Sequence, residues 1–125
     1  MSVDYCTLDD ALITVERLGV HVREIGLLSS ALERPRTDVF GLEAYPDLHS
    51  KAAALLDAVN RAHPLDDGNR RLSWLITVLF YDRNGLDLYA SADDGEEFVL
   101  HAAGEHLALA EIAAWLAAHV TPRSS

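Results

Sequence analysis

Cysteine occurs once in this chain, as Cys6, and lysine once, as Lys51. A single thiol excludes an intrachain disulfide and structural zinc of the multi-cysteine type. Cys6 has no obvious activating neighbour and reads as a small buried hydrophobe. No apolar run approaches the ~20 residues that span a bilayer. The opening residues, MSVDYCTLDD, lack the basic and apolar layout of a signal peptide, so the expected location is the cytoplasm. Basic residues are scarce: 10 Lys and Arg stand against 20 Asp and Glu, a net charge of −10. That balance argues against nucleic-acid binding, which needs a basic face. It leaves room for a small anion gripped by a few local arginines, or for a basic partner segment. The preference for Arg over Lys reads as a coding bias.

What is present is ordinary globular composition, 50% hydrophobic and 24% charged over 125 residues, which fits one domain spanning 1–125. Thr7 is placed to cap a first helix, with Asp9 and Asp10 in its opening turn and Gly19 as its terminator. Leu8, Leu12, Val15 and Leu18 carry its apolar spacing. A second helical stretch, REIGLLSSALERP, must end near Arg34, because Pro35 disfavours helix at the residue before it. PRTDVFGLEAYP, residues 35–46, breaks the pattern and suits a loop or short hairpin-like flap. Asp47 then caps a helix over LHSKAAALLDAVNRA, with one apolar stripe at Leu48, Ala52, Leu55, Leu56 and Val59. A fourth helix starts near Asn69 and stops at Gly85. LDLYA follows as a short strand, Asp93 with Glu96 as a capping pair for EEFVLHAAG, and LALAEIAAWLAAHV as a last helix. Residues 121–125 read as a frayed tail. The expected fold is all-α, a compact bundle of about five or six helices with a short flap.

The stretch AHPLDDGNRRLSW, residues 62–74, departs from its Ala/Leu/Val surroundings. Its last residues open a helix, whose free N–H groups and partial positive charge favour an anion. Gly68 permits a sharp backbone there, and Asn69 offers a side-chain amide. Arg70 and Arg71 bring two guanidinium groups, well matched to phosphate oxygens. Asp67 is a hard carboxylate beside them, the arrangement that holds Mg²⁺ between a carboxylate and phosphates. His63, on the near side of the turn, is able to take a proton from a hydroxyl near pH 7. A base, a metal-binding acid and a phosphate cradle make up the parts of phosphoryl or nucleotidyl transfer. Asp66 reads as a solvated turn residue. His21, His49, His101, His106 and His119 are scattered without the spacing of a zinc site. Trp74 and Trp115 fall on apolar helix faces, and Asp93, Asp94, Glu96 and Glu97 read as a solvated helix start.

HPLDDGNRR resembles the signature of the Fic/Doc family, roughly H-x-F-x-[D/E]-[G/A]-N-x-R, and is most similar to its death-on-curing (Doc) toxin branch. The similarity extends to GLLSSALERP…FG…YP and to the chain length. The resemblance implies a small all-α bundle with a flap beside the active site, here Thr37 to Gly41, which helps align a protein substrate. By position, His63 matches the catalytic base, Asp67 the magnesium-binding acid, Gly68 and Asn69 the anion hole and Arg71 the phosphate-binding arginine. Arg70 stands where AMP-transferring members have a second Gly and Doc-type toxins a Lys. The second arginine of AMP-transferring members is replaced by Trp74. Both differences imply a Doc-like protein kinase that uses ATP and Mg²⁺, with elongation factor Tu as target by analogy and a cognate antitoxin as partner. The alternatives are an AMP transferase and a catalytically weak module acting through partner binding. The family's motif Phe is Leu65 here, an apolar exchange of modest cost. Ser29 to Arg34, SSALER, meets the family's inhibitory pattern up to its last position, where Arg34 replaces Gly or Asn, so inhibition is expected from a separate antitoxin.

Overall fold

The computed structural model describes residues 2–105 and 107–123. Six helices dominate these residues, joined by two small antiparallel strand pairs. Helix α1 (Leu8–Leu18) opens on Thr7, whose hydroxyl accepts from Asp10 N–H at 3.2 Å while the Asp10 carboxylate accepts from Thr7 N–H at 2.8 Å. This reciprocal cap satisfies two orphan donors. Gly19 closes the helix at φ 73°. Helix α2 (Ile25–Glu33) yields to a 3-10 turn over Arg34–Arg36, where Pro35 stops α-helix formation.

The flap is a hairpin of β1 (Asp38–Val39) and β2 (Leu42–Glu43), with Val39 opposite Leu42. Its two turn residues, Phe40 and Gly41, both have positive φ, as a tight hairpin requires. Phe40 is fully exposed at the tip. Lys51 anchors the flap from below, its ammonium donating to the Tyr45 carbonyl at 2.6 Å and to Glu43 Oε1 at 3.1 Å.

Helix α3 (Leu48–Ala62) is capped by Asp47 as its sequence predicts, yet it carries more than one apolar stripe. Every residue from Lys51 to Asn60 is buried, because α3 is the axis on which the other elements pack. Ala53, Ala54 and Ala58 let neighbouring helices approach the faces that the stripe leaves uncovered. The polar residues caught on α3 are all partnered: Asp57 with Arg34 at 2.8 Å and Arg61 at 2.9 Å, and Asn60 with Ser73.

Helix α4 (Asn69–Arg83) runs into Asn84, whose side chain ties down Asp4, and then into Gly85 at φ 81°. The last third of the chain departs most from its expected course. Helix α5 (Ala92–Glu105) is capped by Ser91, whose hydroxyl accepts from Asp94 N–H at 3.1 Å, and not by Asp93, which lies inside the helix. Helix α6 (Leu109–Ala117) ends earlier than the apolar spacing suggests. The expected fraying over 121–125 is overturned at Thr121 and Pro122, since β4 (Val120–Pro122) pairs with β3 (Leu86–Leu88). Strand pairing satisfies backbone groups that a continued α6 would leave beside β3, and Arg123 N–H extends the ladder to the Gly85 carbonyl. Ser124, Ser125 and His106 lie outside the described residues. Trp115 stacks on Phe98 at 3.8 Å and meets Trp74 edge-on, so both tryptophans belong with the core.

Candidate active site

The connection between α3 and α4 gathers His63, Asp67, Gly68, Asn69, Arg70 and Arg71 into one turn. His63 is the C-cap of α3 and lies in the left-handed region at φ 49°, uncommon for a residue other than glycine, though less so for His. Pro64 and Leu65 then turn inward, with Leu65 only 2% exposed, so the place of the family's motif Phe is filled. The Asn69 side chain folds back over this buried segment. Its Oδ1 accepts from Leu65 N–H at 2.9 Å and its Nδ2 donates to the Leu65 carbonyl at 3.2 Å. The amide that the sequence offers to a phosphate therefore clamps the loop. Its Nδ2 also lies 3.5 Å from His63 Nδ1, a contact at the limit of a hydrogen bond.

Asp67 is exposed, with one carboxylate oxygen accepting from Gly68 N–H at 2.8 Å. Gly68 is the N-cap of α4 at φ 83°, and this helix has neither a side-chain cap nor an acidic residue in its first turn. The missing side-chain cap sets α4 apart from α1 and α3, and the missing acidic residues set it apart from α1. In their place stand Arg70 and Arg71, exposed and without an acidic partner among the described residues. Cations at the positive end of a helix dipole are unfavourable by about 0.3–1 kcal/mol each. A sequence tolerates that arrangement where an anion sits between the arginines and the free N–H groups.

Metal ligation is limited to what Asp67 provides. Among the described residues no group of three His, Cys, Asp or Glu side chains is placed to hold a metal ion. A lone exposed carboxylate beside two exposed arginines and an uncapped helix start fits Mg²⁺ carried by an anionic ligand, since Mg²⁺ takes one or two protein carboxylates and draws its other oxygens from phosphate and water. Three of the other described histidines are engaged elsewhere: His49 with the Tyr81 hydroxyl at 2.8 Å, His119 with the Trp115 carbonyl at 2.7 Å and His101 with Glu105 at 3.3 Å, while His21 Nδ1 lies 3.5 Å from the Asp66 carboxylate in the loop. Cys6 is buried, and burial pushes its thiol up to about 12, which suits a core residue and not a nucleophile.

Several residues outside the predicted set hold the site. Asp66, read from sequence as a solvated turn position, accepts from His21 N–H at 3.0 Å and returns its own N–H to the His21 carbonyl at 3.0 Å. The His21 hydrogen bond holds its carboxyl below the usual range. Behind the arginines, Asn60 on α3 donates to Ser73 Oγ at 2.9 Å, and Ser73 donates to the Arg70 carbonyl at 2.6 Å. The one trace of them in the sequence is a polar residue at an otherwise apolar helix position. Arg34, the last residue of SSALER, turns to Asp57 and Tyr45, so its departure from the inhibitory pattern has a structural use. A groove of about 530 Å³ lies away from the loop, between α1 and α4, bordered by Ile13, Leu18, Leu75, Leu79, Arg17 and Arg83.

The sequence profile described as the Fic/DOC family matches residues 2–81, which takes in the flap, α3, the loop and most of α4. The chain belongs to the Fic/DOC family. It is 43% identical over 98 residues to a protein of Mycolicibacterium smegmatis named Toxin Doc, covering 77% of this chain and 75% of that one. No solved structure matches it significantly. Membership agrees with the helical fold and with the place of the motif between α3 and α4. Among the described residues no helix is long and apolar enough to cross a membrane.

Proposed function

We propose that this Fic/DOC protein is a toxin that transfers the γ-phosphate of ATP to a hydroxyl of a cellular protein, with elongation factor Tu as the target suggested by analogy. The observation that carries the reading is the uncapped N-terminus of α4 with Arg70 and Arg71 exposed on it. His63 takes the proton of the attacking hydroxyl as its oxygen bonds to the γ-phosphorus. The bond from that phosphorus to the ADP oxygen breaks, and ADP leaves. Arg71 and the free N–H groups at the start of α4 bind phosphate oxygens, and Arg70 adds charge and bulk where AMP-transferring members carry Gly. Asp67 would hold Mg²⁺, which neutralises phosphate charge when bound. Asn69 supports the cradle by holding Leu65 and facing His63. Leu65, fully packed, supports an intact loop and weighs against a module that has lost catalysis. A separate antitoxin supplies inhibition, since SSALER ends in an arginine bonded to Asp57, and the site of action is the cytoplasm.

The test is label transfer from ATP to protein in a cell extract. Transfer from γ-labelled but not α-labelled ATP, abolished in His63→Ala, supports the kinase reading. Transfer from α-labelled ATP replaces it with AMP transfer, and undiminished growth arrest by His63→Ala removes the enzymatic reading altogether.

A further inference from the structure

The connection between α1 and α2 lies along the candidate catalytic loop like an added strand. Val22 and Leu65 form an antiparallel bridge. Arg23 N–H and Glu24 N–H both donate to the Pro64 carbonyl, at 2.7 and 3.1 Å, and His21 exchanges two backbone-directed bonds with Asp66. Val20 packs beside Gly68, where an added Cβ would meet its Cγ1 at 3.6 Å. One side chain of this connection reaches the backbone of His63: Arg23 Nη2 donates to the His63 carbonyl at 2.7 Å.

That carbonyl belongs to the C-cap of α3, at the negative end of the helix dipole, where a cation is favourable. It also belongs to a residue held at positive φ, a conformation that persists only when its surroundings enforce it. We propose that Arg23 is a positioning residue for His63, fixing the left-handed backbone that aims the imidazole over the start of α4. The role of His63 as base rests on the proposed function, but the mechanical claim stands on these contacts.

The experiment uses the full chain carrying Arg23→Met, which keeps an unbranched stem and removes the guanidinium. Amide hydrogen exchange is followed at Leu65 and Asp66, and γ-phosphate transfer is measured alongside. The expected result is exchange about tenfold faster at Leu65 and Asp66, with Leu72 and Ile76 in α4 unchanged. Transfer should fall about tenfold in kcat with KM for ATP unaltered, since Arg23 acts on geometry and not on nucleotide binding. Unchanged exchange at the loop overturns the proposal, whatever happens to activity. A raised KM for ATP overturns it too, because Arg23 would then be touching the nucleotide. If the unaltered protein transfers no phosphate, the functional reading fails, and the exchange measurement still decides whether Arg23 holds the loop.

Discussion

Replacing Lys51 with Met tests how the flap is fixed. Lys51 is the chain's sole lysine, and its side chain is 2% exposed. Met keeps a flexible apolar stem of similar reach, so the packing beneath the flap survives and only the ammonium is lost. Two acceptors lose their donor. Glu43 is 58% exposed and can turn to water, but the Tyr45 carbonyl loses a charge-assisted bond of 2.6 Å. A bond of that kind contributes about 1.5–3 kcal/mol. Part of this is returned, because the substitution also removes the desolvation cost of a buried charge. The net expectation is a loss of about 1–2 kcal/mol, equivalent to about 3–8 °C in Tm for a chain of this size. The loss should also be local. The Ala44 amide, bonded to the Thr37 carbonyl at 2.9 Å, should exchange faster in the variant than the amides of α3, and proteolysis should shift toward residues 38–44. Burial pulls the Lys51 pKa down, but the hydrogen bond to Glu43 and the nearby Tyr5 hydroxyl outweigh it and raise the value. The stabilisation is therefore complete below the ordinary lysine value of ~10.4 and fades only as pH rises through the higher folded one. An unchanged Tm with unchanged exchange at Ala44 would refute the anchor, and a more stable variant would show that desolvation outweighs the bonds.

Three further outcomes follow from single side chains. Cys6, with its thiol pushed up to about 12 by burial, should react with a thiol reagent at pH 8 far more slowly in the folded chain than in denaturant; equal rates would place it at the surface. Leu65→Phe, which introduces the family's motif residue into a filled site, should destabilise by about 1–3 kcal/mol in a denaturant titration, and a gain in stability would mean that the loop has room to spare. The depressed Asp66 carboxyl makes its clasp to His21 fully present above the ordinary value of ~3.9 and lost as pH falls through the folded one, so the Asp66 amide should exchange anomalously fast there, and exchange that follows only the intrinsic pH dependence would count against the clasp.

The helices and the site were legible for different reasons, and they failed differently. Thr7, Asp47 and Gly19 announce their helix ends because caps are local: the side chain, the orphan N–H and the turn lie within four residues. The end of α6 is not local, since it is set by the pairing of Val120 with Leu88, and no spacing within LALAEIAAWLAAHV records that partner. The single stripe read on α3 undercounted its burial for a related reason. Alanine is silent in an amphipathic pattern, and whether Ala53 or Ala54 meets solvent or another helix depends on what the rest of the chain brings to it.

The motif was legible because its residues are consecutive, but consecutive residues divide their work in ways spacing does not reveal. The sequence offers Asn69 to a ligand, yet both ends of its amide are closed on Leu65. The sequence makes Asp66 a solvated turn residue, yet it joins the loop to the α1–α2 connection through His21. The same physical demand governs both. A loop that leaves a histidine and two arginines open must satisfy its own backbone, and it does so with whichever polar side chains are nearest. Arg70 and Arg71 are what remains after that demand is met: exposed, without an acidic partner among the described residues, and set at the one end of α4 where their charge opposes the helix. Their position is unfavourable for the fold, and it is this opposition, more than the presence of arginine in a motif, that points to an anion.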